Sequence, residues 1–211
     1  MKYQEFKQRF ADYPVILARD VALGADDAQT VRNQLLRWQK RGLLTPLKKG
    51  VYVINDTDRK TSVDHRFLAN ILYEPSYVSL EYAMGFYGLI PETVHTITSV
   101  TTRKTMRIEN ALGIFLYQHI KAPAFRGFRL ASQGKWAPIV AEPEKALVDY
   151  LYFHLSSFGQ DTLQMLEESL RLQNLDILDE DKLKGFAGLF DNAKLTRLID
   201  SVCLLRRKEV S

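Results

Sequence analysis

Hydrophobic positions at the start of the chain repeat with a helical period. Tyr3, Phe6 and Phe10 share one stripe and predict a helix over residues 3–11. Pro14 is expected to open a short second helix carrying Val15, Ile16 and Ala18 and ending near Gly24. Asp26 or Asp27 then stands where an N-cap is wanted for a third helix over about 28–41, stopped by Gly42. Past that glycine the pattern shortens: 43–47 and 51–54 predict two apolar strands, joined by Lys48-Lys49-Gly50, where glycine can supply the positive φ of a tight hairpin. Residues 55–62 contain no apolar side chain and predict a linker or surface loop, dividing a unit 1–58 from a unit 62–211.

The second unit mixes both periods. Helices are expected over 65–73 and 79–87, and strands over 96–102, 113–119, 127–131 and 138–141. Pro143 suits the first turn of a helix carrying Ala146, Leu147, Tyr150 and Leu151. From Gln160 onward the chain reads as helical, with Leu163, Leu166 and Leu170 and then Leu195, Leu198, Ile199 and Val202 on apolar stripes. The fold class is therefore α+β: an N-terminal winged helix-turn-helix, a mixed α+β domain, and a helical tail from about residue 160.

On a helical wheel the third helix turns Ala28, Val31, Leu35 and Trp38 inward. Gln29, Asn33, Arg37 and Lys40 face outward, with Arg32 and Leu36 at the edge of that face. Two amides that can read base edges, beside cations that can meet phosphate or guanine, are what a helix in the major groove uses. Arg32 and the hairpin lysines Lys48 and Lys49 are expected to contact phosphate. A polar helix face is also what plain solvent exposure produces. The order of the parts favours DNA: short helices, a helix ending Lys40-Arg41-Gly42-Leu43-Leu44, then a lysine-tipped hairpin.

Charge sharpens this. The chain carries 29 Lys/Arg against 25 Asp/Glu, yet residues 1–60 hold 12 basic against 7 acidic groups, a net of +5. A basic excess on a small unit steers encounter with polyanions. A second excess lies over 103–129, where Arg103, Lys104, Arg107, Lys121, Arg126 and Arg129 face a single acid, Glu109. Phe115, Tyr117, Phe125 and Phe128 interleave with them. Two readings stay open: a second polyanion surface, or an amphipathic sheet with cations outside and rings inside.

Three stretches resemble the AbiEi-type antitoxins, transcriptional regulators of type IV toxin–antitoxin, abortive-infection systems. They are Arg37-Trp38-Gln39-Lys40-Arg41-Gly42-Leu43-Leu44 leading to Lys49-Gly50-Val51-Tyr52; Tyr77-Val78-Ser79-Leu80-Glu81-Tyr82-Ala83-Met84 with Tyr87-Gly88-Leu89-Ile90; and Ala141-Glu142-Pro143-Glu144-Lys145-Ala146-Leu147-Val148-Asp149. The resemblance implies a winged helix that binds inverted repeats in the operon's own promoter. It also implies a second domain that counteracts a nucleotidyltransferase toxin without a stable complex. From the residues alone, Ser79 and Glu142 are expected to cap helices, and nothing marks either stretch as a site.

Catalytic and metal signatures do not emerge. Gly134-Lys135 is followed by Trp136 rather than Ser or Thr, so it is no phosphate-binding loop, and no Gly-x-Gly-x-x-Gly or His-Glu-x-x-His occurs. Glu180-Asp181-Lys182 reads as an acidic helix start. His65, His95, His119 and His154 have no ligand spacing, and Cys203 among Val202, Leu204 and Leu205 is expected to be a buried, inert thiol. No cofactor, no metal and no catalytic residue is expected. With a single cysteine and no long apolar run, the chain is expected in the cytoplasm and off the membrane. Two other functions stay open: a winged helix used for protein contacts, and a ligand-sensing regulator with a small-molecule pocket in the second domain.

Overall fold

A computed structural model describes residues 1–23, 27–159 and 162–210; the chain is mixed α+β with a helical C-terminal end. Helix α1 (Tyr3–Phe10) buries Phe6 and Phe10, as its stripe predicts. The next segment departs from expectation. Ile16–Leu17 form a strand, β1, paired antiparallel with Tyr52 and Val51, and helix α2 (Ala18–Ala22) begins only afterwards. Val15 and Ile16 bury better in extended backbone, where branched side chains lose less rotamer freedom.

Asp27 caps α3 (Ala28–Lys40), its carboxylate accepting from the Gln29 and Thr30 amides, both at 2.9 Å. The alternative cap, Asp26, and the helix end near Gly24 lie outside the described residues, as does Gln160. Gly42, at φ +69°, ends α3 as expected, and β2 (Leu44–Lys48) and β3 (Val51–Ile54) follow. The small sheet runs β1-β3-β2.

A bulge at Leu47 breaks the β2–β3 register between Pro46 and Lys48. Strand alternation divides the hairpin between two cores. Leu44, Tyr52 and Ile54 pack with Phe6, Phe10, Val31, Leu35 and Trp38; Leu47, Val51 and Val53, with Val15, join the larger core of the second unit. Residues 55–62 are correspondingly pinned. Asp58 accepts from the Tyr3 hydroxyl (2.8 Å) and the Lys7 amine (2.5 Å), and the Lys60 amide donates to the Ala11 carbonyl.

The larger sheet comprises β4 (Ser76–Val78), β5 (Ile97–Thr101), β6 (Met106–Asn110), β7 (Gly113–His119), β8 (Phe128–Leu130) and β9 (Ile139–Ala141), in the order β6-β7-β5-β4-β9-β8. Helices α4 (His65–Leu72), α5 (Leu80–Phe86) and α6 (Pro143–Phe153) pack on it. Strands β4 and β6 are absent from the sequence expectation for opposite reasons. All three residues of β4 are buried, leaving no alternation to read, whereas β6 is an edge strand of mostly exposed residues.

The tail is helical in pieces. A short α7 (Thr162–Gln164) runs into a π-helical turn, Met165–Ser169, before α8 (Glu180–Gly188) and α9 (Ala193–Val210). Leu166 is buried in the larger core, and Leu195, Leu198, Ile199 and Val202 are buried on α9, which packs on α6 and α8, each such side chain contributing about 1.5–3 kcal/mol. Leu163, expected on the same stripe, is 38% exposed.

Candidate nucleic-acid interface

Helix α3 is fixed by one face and free on the other. Val31, Leu35 and Trp38 are buried, with the Trp38 ring 4.7 Å from Phe6; Ala28, expected among them, is exposed because it sits in the first turn beyond the packed rings. Gln29, Arg32, Asn33, Leu36, Arg37 and Lys40 are all exposed. Gln29 donates to the Asn33 carbonyl oxygen at 3.2 Å, so the two amides brace each other across one turn. No acidic residue lies within α3. Its carboxylate neighbour Asp27 is held below the usual range by the Thr30 hydroxyl and the two cap amides, and its oxygens point at those donors.

The two hairpin lysines part company. Lys49 is exposed at the turn, and Lys48 is exposed as well but has a partner in the second unit. Its amine donates to the Leu72 carbonyl at 2.7 Å and lies 5.3 Å from the Tyr73 ring centre. The bulge at Leu47 turns it toward the second unit, where burial and then the nearby Arg103 charge lower its pKa.

The second basic excess does not form one surface. Arg107 lies on β6 and Arg129 on β8, the opposite edges of a six-stranded sheet; five steps of about 4.8 Å separate those edges by roughly 24 Å. Arg107 pairs with Glu109 at 2.7 Å. Phe115 and Tyr117 are buried, as the amphipathic-sheet alternative expects. Lys121 and Arg126 are exposed in the connection before β8.

Arg103 and Lys104 line a basin of about 630 Å³ with Tyr73 and His119. The Arg103 guanidinium lies 4.5 Å from the centre of the same Tyr73 ring that Lys48 approaches. This half of the cluster thus adjoins the hairpin, although 55–62 separates them in sequence.

The two remaining quoted stretches meet in the interior. The Tyr77 and Ser79 hydroxyls donate to one oxygen of Asp149, at 2.9 and 2.8 Å, and the Lys145 ammonium binds the other. Ser79, Lys145 and Asp149 are wholly buried. Burial raises the Asp149 carboxyl pKa and lowers that of Lys145, and their mutual attraction opposes both shifts. Rings of Tyr77 and Phe190 lie 5.6 and 5.1 Å from the ammonium. Gly127, at φ +80°, passes so close that a Cβ there would meet Phe186 at 2.6 Å and the Lys145 stem at 3.1 Å. Phe186 and Phe190 therefore make the C-terminal tail the cover of this cluster.

Ser79 and Glu142 stand at the N-cap positions of α5 and α6, as expected, but neither side chain makes a cap hydrogen bond. The Ser79 hydroxyl is committed to Asp149, and the Glu142 carboxylate reaches Lys182 at 2.6 Å. Leu80 after Ser79 has φ +59°, a left-handed conformation costing about 1–3 kcal/mol, held by the Ser79–Asp149 and Thr98–Ser79 hydrogen bonds. Nothing in the sequence flags that residue, whereas Lys145 and Asp149 could have been flagged as charges four apart on an otherwise apolar helix face.

Among the described residues, no group of three or more His, Cys, Asp or Glu is placed to hold a metal, and no helix is long and apolar enough to cross a membrane. Cys203 is buried, with its thiol pKa raised by burial. The chain matches no protein-family model and no curated protein.

Proposed function

We propose that the chain is a DNA-binding transcriptional regulator whose first 58 residues act as a winged helix-turn-helix. In this reading α3 enters the major groove, with Gln29, Asn33, Arg37 and Lys40 toward base edges and Arg32 and Lys49 toward phosphate. The observation that carries it is the outward face of α3: amides and cations without a carboxylate, on a helix whose other face is locked by Val31, Leu35 and Trp38. A helix fixed so firmly can present side chains in a constant register. Arg103 and Lys104, beside the hairpin, extend the basic surface to flanking backbone.

The resemblance to AbiEi-type antitoxins adds the proposal that the regulator is a cytoplasmic, non-enzymatic autorepressor on inverted repeats of its own promoter. It would also counteract a nucleotidyltransferase toxin. What supports this beyond the quoted stretches is that two of them supply the halves of one buried cluster, Tyr77 and Ser79 with Lys145 and Asp149. A second reading, a protein-contact module, rests on Leu36, 44% exposed in the middle of the same α3 face.

The test is a titration of the intact chain on its own upstream DNA over a range of salt. Four phosphate contacts, for instance from Arg32, Lys40, Arg41 and Lys49, give a log–log salt slope of about −3.6. Absence of binding at low salt overturns the DNA reading and leaves the protein-contact one.

A further inference from the structure

Between α4, β4 and β9 lies a cleft of about 390 Å³, at the small end of the range for ligand pockets. Three aromatic side chains, Phe67, Phe125 and Phe128, line it together with Ile71 and Ile139. Phe125 and Phe128 are held from behind by the buried Tyr77 ring, 5.1 and 4.7 Å from their centres, so this wall is fixed by the cluster that binds Asp149.

Three polar side chains interrupt the apolar lining: Asn70, whose amide is bonded to the Ser76 and Ile139 backbone, Ser76 and Glu74. Ser76 is 6% exposed, and its hydroxyl has no hydrogen-bond partner among the described residues, a costly state for a buried hydroxyl. Glu74 is the one ionisable side chain among the lining residues; it is exposed at the lip, and the Arg103 guanidinium donates to its backbone carbonyl at 3.1 Å rather than to its carboxylate. Glu74 and Ser76 flank Pro75 on one lip.

The cleft also connects to α3 by an unbroken file of rings. Phe67 lies 5.7 Å from Trp136, and Trp136 lies 5.1 Å from Tyr13 in the first unit. Tyr13 touches Phe10 at 5.5 Å, Phe10 touches Phe6 at 5.0 Å, and Phe6 touches Trp38 of α3 at 4.7 Å. Ala137, next to Trp136 in the chain, is part of the cleft wall. Phe67 and Ala137 thus stand at one end of a packed file whose other end is α3.

We propose that this cleft binds a compact aromatic amine, its ring among Phe67, Phe125 and Phe128 and its ammonium at the Glu74 carboxylate, and that occupancy alters DNA binding at α3. The second half rests on the DNA-binding reading; the first does not. The cleft holds one or two rings, too little for a folded partner, and a lone carboxylate on an apolar wall selects a cation over an anion.

Ligand-observed NMR on the intact chain, without DNA, tests the site with 2-phenylethylamine against 3-phenylpropionate, which differ mainly in charge. The amine binds saturably below about 10 mM and the acid at least about tenfold more weakly. Glu74→Gln brings the two within about threefold. Ala137→Phe, filling the cleft, abolishes binding. No saturable binding, or equal binding of amine and acid to the unaltered chain, overturns the site.

With saturating amine, affinity for the upstream DNA shifts by at least about threefold in the unaltered chain and not in Trp136→Ala, which still binds the amine. An unmoved DNA affinity overturns the coupling alone. A chain that binds the amine but no DNA overturns the DNA reading and leaves the site standing.

Discussion

Replacing Lys145 by Met or Asp149 by Asn should unbalance the molecule more than any surface change, and unequally. Both side chains are fully buried, and removing one partner of such a pair costs about 3–5 kcal/mol because the other charge is left unpaired. At about 2–4 °C per kcal/mol for a chain of this length, either variant loses about 6–20 °C in Tm. Asp149→Asn is the worse of the two. Its carbonyl oxygen must still serve Tyr77 and Ser79, so its amide nitrogen turns toward the Lys145 ammonium and sets donor against donor. Lys145→Met leaves an acid with two hydroxyl donors that can take up a proton. The double variant removes both charges, keeps the carbonyl acceptor and abolishes the clash, so it should be less damaging than the sum of the singles by about 2 kcal/mol or more. Guanidinium unfolding at neutral pH, followed by circular dichroism at constant m, measures all three. Additivity within about 0.5 kcal/mol would show that the charges do not act as a pair, and the account of the cluster would fall.

Gln29→Ala or Asn33→Ala should relax sequence preference by about 1–3 kcal/mol in competition binding against random DNA; equal losses on both DNAs would mean that α3 is not oriented as described. Lys49→Ala should weaken all DNA alike and flatten the salt slope by about one unit, while Lys48→Ala costs about 0.5–1.5 kcal/mol of stability through the lost Leu72 contact and changes the slope less. Asp58→Asn should destabilise in a pH-dependent way. Hydrogen bonds from Lys7 and Tyr3 hold the Asp58 pKa below 3.8, so its contribution is complete above that value and fades as pH falls through the lower folded value. Melting temperatures of the two proteins should therefore converge in acid, and a constant gap would contradict the assignment.

Helical stripes were legible wherever one face packs and the other is wet, as in α1, α3 and α9, because burial itself writes the period into the residues. The Gly42 stop and the hairpin glycine were legible for a local reason, their positive φ of 69° and 79°. Val15 and Ile16 misled because an apolar run of two fits a strand or a helix turn equally, and the pairing that decides it comes from Tyr52 and Val51 far along the chain. The exposed face of α3 was readable from α3 alone. Lys48 was not, since its direction depends on a bulge, and the basic run 103–129 looked continuous because sheet order is not written in sequence order. The meeting of Tyr77 and Ser79 with Asp149 stayed hidden for the same reason: the partners are about seventy residues apart and meet only through tertiary folding.

Burial on both faces makes the β2–β3 hairpin a party wall, with Leu44, Tyr52 and Ile54 plastered on one side and Leu47, Val51 and Val53 on the other. A wall shared by two rooms cannot be carried off with either of them. Severing the chain near residue 58 would strip the outer side of that wall, so the first unit, if it reads DNA as proposed, should not transplant cleanly onto another protein. Changes of target sequence would then have to be made by repainting the α3 surface in place, while everything behind the hairpin is inherited unaltered.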